Sequence, residues 1–349
     1  KTIETQKKPI DYSLSFFLRR NLNKEYALYA LEQYIKYSKD CHVVVLFPSR
    51  YYDYNKVELE IKKRFTTIYT GNLPLSANGV HNLVLHMYRD HEWLSLEKNN
   101  GYSLTLSHAQ QRFVKGLPVK IVFIVNAELE ELHKFKKKIR NDLNRGNFPI
   151  HVPDTRQEVL DLSGLTLRDN GINFLNKAKP KNNQKVHYLM RQFLSWVKKN
   201  SYDINDFCIV GSAYVSLEGH REVSDLDIFD LKFRSCPIEN INIIKENSDW
   251  IKFYSIETIF SPKNNFFYNG IRVSSRSLVI DFKKKRAFAK DIQDLNYLRS
   301  NDDKSIFKNK INYFFGIFLE SSFWVILRIR SAIPKPIKKI IRSILKKFY

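Results

Sequence analysis

The feature that most constrains this chain lies at residues 207–231, FCIVGSAYVSLEGHREVSDLDIFDL. An apolar run of Phe207, Cys208, Ile209 and Val210 ends on Gly211-Ser212, and a short segment closing near Gly219 leads into a second run over 224–231. In that run Asp225 and Asp227 alternate with Leu226 and Ile228. Side chains two apart on a strand share a face, so this spacing stands the two carboxylates side by side and sends Leu226 and Ile228 into the core. Adjacent carboxylates repel, and two oxygen-rich groups at that separation suit a hard cation such as Mg²⁺. The Gly-Ser turn offers a phosphate backbone N–H groups with no side chain in the way.

A strand, a Gly-Ser turn and an Asp-x-Asp on a second strand resemble the nucleotidyltransferase superfamily, the polymerase-β-like fold. The resemblance covers 207–231 and implies Mg²⁺ (or Mn²⁺) on Asp225 and Asp227, with one ion clamping a triphosphate and another acidifying the attacking hydroxyl. It implies a nucleoside triphosphate or other nucleotide-activated donor, its phosphates held by Gly211 and Ser212. His220 and Arg221 lie close enough in sequence to neutralise developing charge. Downstream, Lys290-Asp291-x-x-Asp294 is similar to a Lys-Asp-x-x-Asp signature of small nucleotidyltransferases, which places Lys290 and Asp291 at the donor; the alternative is a solvated helix face. The family usually adds a third carboxylate on a later strand. Here Asp230 falls an odd number of residues from Asp227 and so on the other face, Asp281 sits in a helical pattern and Glu257 in an ambiguous segment.

At 349 residues the chain is long enough for two domains. With 58 Lys+Arg against 36 Asp+Glu its net charge is +22, which implies an anionic partner: nucleic acid, nucleotide phosphates or an acidic membrane surface. The aromatic content of 14% argues against disorder. Cys41, Cys208 and Cys236 are scattered without CxxC spacing, which excludes a cysteine zinc site or disulfide framework and, with no secretory leader in view, leads to the expectation of a cytoplasmic protein.

The expected fold class is α/β (α+β), in three parts. Residues 1–180 read as an α/β accessory domain: buried strands at 42–47 and 119–125, helices at 26–37, 57–65, 83–88 and 128–143, an extended piece at 66–70 and a turn at Gly71-Asn72. His81, His86 and His91 recur every five residues, about 140° apart on a helix, so they are expected to be ordinary surface or half-buried histidines. His151 and Asp154 precede a capping box, Thr155-x-x-Glu158, whose helix explains Asp154 and Thr155 structurally. The polar stretch 180–185 is placed at the boundary. Residues 181–305 read as the nucleotidyltransferase-like unit: a helix over 186–199, the motif strands, an extended or mixed segment at 250–260, a hairpin about Asn269-Gly270, and one basic helix over 278–294.

Residues 306–349 read as a membrane-surface tail. The apolar stretch 311–327 is shorter than the ~20 residues a span requires and contains Glu320. Beyond Pro334 and Pro336, Ile337, Ile340, Ile341, Ile344, Leu345 and Phe348 form an amphipathic stripe flanked by Lys338, Lys339, Arg342, Lys346 and Lys347, with no acid after Glu320. That pattern suits a helix lying in an anionic bilayer interface. The expected function is therefore transfer of a nucleotidyl or phospho-sugar/polyol group to a glycan or lipid-linked acceptor, in cell-envelope polysaccharide modification on the inner face of the membrane. The alternatives are an RNA- or tRNA-directed nucleotidyltransferase or nucleic-acid binder, and a non-catalytic module of the same fold.

Overall fold

Two sheets carry the architecture in the computed structural model, which describes residues 24–49, 52–89, 103–144, 149–179 and 183–300. The first has the order β2-β3-β1-β4 and is antiparallel throughout: β1 (His42–Leu46), β2 (Thr66–Leu73), β3 (Val119–Val125) and β4 (Ile150–His151). Alternation along β1 divides its side chains between two cores. Val44 and Leu46 pack under α2 (Tyr54–Arg64) and α5 (Leu129–Leu143). Val43 and Val45 face α1 (Lys24–Tyr37), α3 (Ala77–Met87), α4 (Ser103–Arg112), α6 (Arg156–Thr166) and α7 (Asp169–Lys177).

The second sheet is mixed, in the order β7-β6-β5-β9-β8, with β5 (Phe207–Ile209), β6 (Leu226–Asp230), β7 (Ile241–Ile243), β8 (Asn265–Tyr268) and β9 (Ile271–Ser274). β5 runs antiparallel to β6 and parallel to β9, and β6 runs parallel to β7. Its Phe207, Ile209, Leu226 and Ile228 face joins the large core with α8 (Gln184–Lys199) and α9 (Ser212–Leu217). Cys208 and Phe229 on the opposite face lie under α10 (Asp249–Phe253), α11 (Ile256–Phe260) and α12 (Arg276–Arg286), where Trp250 stacks on Phe282 with ring centroids 3.8 Å apart. α13 (Ala289–Ser300) follows.

The two sheets share that large core. Phe174 of α7 meets Phe266 and Tyr268 of β8 at centroid separations of 4.9 and 4.7 Å. Buried Arg168 pairs with Glu32 through Nε at 2.8 Å and Nη2 at 2.9 Å, and donates Nη1 to the Asn265 side chain. Residues 180–182, within the expected boundary, lie outside the described residues, as do 301–349, which contain the whole of the expected membrane-surface tail.

Several local expectations change. Gly71-Asn72 stays inside β2, paired with Ile121 and Lys120, and the irregularity falls instead between Thr67 and Tyr69. Gly71 serves close approach: a Cβ there would lie 2.8 Å from a Tyr69 ring carbon. The 250–260 segment forms two short helices, the second capped by Ser255, whose hydroxyl accepts from the Thr258 N–H. The basic helix over 278–294 is broken, because Ala287 adopts a left-handed φ of 54° and ends α12. His81 and His86 are both buried, His81 bonded to Thr105 and His86 stacked on Tyr268; His91 lies outside the described residues. Among the described residues no helix is long and apolar enough to cross a membrane.

Candidate functional site

The hydrophobic alternation of β5 and β6 sets the site. With Leu226 and Ile228 buried, Asp225 and Asp227 take the face that also carries Phe229, at the end where β5 gives way to Gly211. The Val210 N–H donates to the Asp227 carbonyl at 3.0 Å, which holds the two segments together. Gly211 has φ 71° and ψ −138°, and a Cβ there would stand 3.0 Å from Asp227 Oδ2. Both the left-handed backbone and the close carboxylate therefore require glycine. Ser212 opens α9 directly behind it.

A third side chain, one that sequence reasoning missed, joins the pair. Parallel pairing with β7 sets Asn242 opposite Asp227, and its Nδ2 donates to Asp225 Oδ2 at 2.6 Å. Ser224 Oγ donates to Asp225 Oδ1 at 2.7 Å. Burial, reinforced by the Asp225 charge, pushes the Asp227 carboxyl up to about 6; Arg286, the Asn242 amide and Lys290 pull in the opposite direction. Two carboxylates whose mutual repulsion has not been neutralised are what a divalent cation would relieve. The donor set fits one such ion on Asp225 and Asp227. Among the described residues no group of three or more His, Cys, Asp or Glu side chains is placed to hold a metal, and the residue in register beside Asp227 is a neutral amide.

Next to this pair runs a chain of alternating charge. Arg221 grips Asp294 with two bonds of 2.8 Å, Lys283 bridges Asp294 at 2.7 Å and Asp291 at 3.0 Å, and Arg286 grips Asp291 at 2.9 and 2.7 Å. Lys283, Asp291 and Asp294 are buried. Burial opposes ionisation of the two aspartates, yet the Arg286 and Lys283 hydrogen bonds hold the Asp291 carboxyl down at about 2. Asp294 is likewise lowered, against its burial, by Arg221 and Lys283. Both terminal arginines are raised, chiefly by their hydrogen bonds to Asp294 and Asp291. The charge of Asp225 also reaches Arg221, and that of Asp227 reaches Arg286. The ends of the chain thus bring two guanidinium charges to the open carboxylate pair.

Of the expected site residues, Gly211 stands against Asp227 Oδ2, the charge of Asp225 reaches Asp227, and Ser212 begins the helix that follows Gly211. Lys290 is exposed, and its charge reaches Asp227. Asp291 faces inward, its carboxylate occupied by Lys283, Arg286 and the Phe288 N–H. Asp230 is buried on the other face and bonded to Arg234, while Asp281 accepts from the Tyr254 hydroxyl. His220 stacks on Tyr297 at 4.0 Å. Asn242 carried no signal in the sequence, because a single polar residue in a three-residue strand matches no pattern; Lys283 and Arg286 were hidden in a run of four basic residues.

Neither a protein-family model, nor a curated protein, nor a solved structure matches this chain.

Proposed function

We propose that the protein is a Mg²⁺-dependent nucleotidyltransferase-like enzyme, and the observation that carries this is the open Asp225/Asp227 pair set against Gly211. Mg²⁺ (or Mn²⁺) on these carboxylates would supply charge neutralisation to the donor's polyphosphate. Asp225 is oriented by Ser224 and Asn242, and Asp227 by its burial beside Gly211. Arg221 and Arg286, each anchored by a buried aspartate, supply fixed positive charge to the phosphates without reorganising. In the transfer, an acceptor hydroxyl oxygen bonds to the donor's α-phosphorus, the bond to the departing pyrophosphate breaks, and the hydroxyl proton passes to water. The basic amphipathic pattern of 337–349 favours an acceptor at an anionic membrane surface, a glycan or lipid-linked group, with the protein peripheral on the inner face.

Asn242 in register with Asp227 favours a second reading, a module that binds the nucleotide without transferring it, since two carboxylates hold one ion more readily than two. A thermal-shift panel of ATP, GTP, CTP and UTP with and without Mg²⁺ tests both. At least one nucleotide should raise the melting temperature only with Mg²⁺, and Asp225→Asn/Asp227→Asn should abolish the rise. No shift with any nucleotide would sink both readings. A shift without pyrophosphate release in the presence of envelope extract would select the non-catalytic one.

A further inference from the structure

We propose that the concavity along the outer edge of β7 receives the base end of the nucleotide whose phosphates meet Asp225 and Asp227; this rests on the functional reading above. The concavity has a volume of about 930 Å³, the size of a small-molecule site. It is framed by β7, the turn around Phe233 and the segment after Ile244. Asn242 belongs to both places: it lines the concavity, and its amide donates to Asp225 Oδ2 at 2.6 Å. A ligand filling the concavity therefore lies one side chain from the carboxylates.

The lining suits a flat, polar-edged, uncharged group. Among the described residues β7 ends the sheet; of the backbone groups that alternate away from β6, the Ile241 N–H donates to the Ile238 carbonyl at 3.2 Å, while those of Ile243 have no strand partner there and can meet the edge of a base. Phe233 offers a half-buried ring, held at 63° to Phe229 with centroids 5.9 Å apart, on the face that carries Asp227. Its neighbour Arg234 is fixed by Asp230 and Asp206 and by stacking on Phe207 at 4.4 Å, so this wall is held in place before any ligand arrives. Lys245 and Glu246 offset one another and Arg234 is offset by Asp230 and Asp206, which leaves the concavity without the cationic excess that phosphates need. The guanidinium groups that meet that need lie at Arg221 and Arg286.

The chain contains its own reporter. Cys236 lines the concavity and is half-exposed, its thiol also raised by burial, whereas Cys41 and Cys208 are fully buried and their thiols are pushed up to about 12. Thiol labelling of the full chain at pH 8 should therefore report on Cys236, and Cys236→Ser should remove the fast phase. Saturating ATP, GTP, CTP or UTP with Mg²⁺ should slow labelling at least about tenfold for the nucleotide that binds, and inorganic tripolyphosphate with Mg²⁺ should leave it unchanged. Phe233→Leu, which keeps an apolar side chain but removes the flat face, should weaken that nucleotide about fivefold or more and leave tripolyphosphate affinity unaltered. If a nucleotide gives an Asp225- and Asp227-dependent thermal shift while Cys236 labels at its free rate, the base lies elsewhere and only this inference fails. Equal protection by tripolyphosphate would also overturn it. No nucleotide effect on either readout would remove the functional reading as well.

Discussion

Asp225 and Asp227 on one side, Asp291 and Asp294 on the other, are chemically alike pairs of aspartates, yet Asp227 is raised while Asp291 and Asp294 are lowered. The second pair is closed to solvent, yet Asp291 is held down at about 2 because Lys283 and Arg286 satisfy it. Among the described residues the first pair has hydrogen bonds from Ser224 and Asn242 and feels the charges of Arg286 and Lys290 without an ion-pair contact, and burial together with the Asp225 charge drives Asp227 up to about 6. Burial alone therefore does not decide whether a carboxylate is structural; the number of charged donors reaching it does. The ion-paired aspartates stabilise the fold and hold Arg221 and Arg286, while Asp225 and Asp227, met by neutral donors, are the pair a cation would join.

The comparison breaks most visibly at Lys283. Lys283→Met leaves two buried carboxylates without their shared partner and should cost about 3–5 kcal/mol in urea unfolding. If that variant unfolds like the parent, the inner pair is not the buried hub described here. The same pair governs the acid limb. A carboxyl lowered from 3.8 to about 2 contributes stability that is present above about pH 5 and disappears as the pH falls towards 2, on the order of 2 kcal/mol for Asp291. Asp291→Asn should flatten that limb in melting temperatures recorded from pH 6 down to pH 2.

The open pair should show the reverse sign. A carboxyl raised from 3.8 to about 6 destabilises the fold where it must ionise, so the penalty is absent below about pH 4 and complete above about pH 7. Asp227→Asn is therefore expected to stabilise the metal-free protein by about 1–2 kcal/mol at pH 8, allowing for partial solvent screening, and to have little effect at pH 4. Destabilisation at pH 8 would show that Asp227 is already satisfied. Gly211→Ala forces a Cβ into a left-handed backbone and against Asp227 Oδ2, and about 1 kcal/mol should be lost by thermal unfolding. Because the added methyl faces the carboxylate, Mg²⁺-dependent nucleotide shifts should fall in the same variant.

The local pattern made much of this visible. The strands at 42–46, 119–125 and 226–230 follow from β-branched runs and period-two alternation, and the Thr155 cap formed as its spacing implies, its hydroxyl accepting from the Glu158 N–H. The break at Ala287 was not legible, since neither Gly nor Pro marks it; just beyond it Asp291 accepts the Phe288 N–H, and Lys283 and Arg286 hold that carboxylate from the preceding helix. Nor does the basic run show which of its members turns inward: Lys283 is buried between two aspartates drawn from α13. Asn242 was invisible for a related reason: its place beside Asp227 depends on β7 pairing parallel to β6 across an irregular connection. Patterns within one element were readable, and partners brought from another element were not.

Carboxyl titration of Asp227 tests the central claim most directly. With ¹³C-labelled aspartate, the resonance lost in Asp227→Asn should titrate near 6 in metal-free protein and move below about 4 when Mg²⁺ and a nucleoside triphosphate are added. A carboxyl that titrates near its ordinary 3.8 and ignores Mg²⁺ would contradict the account.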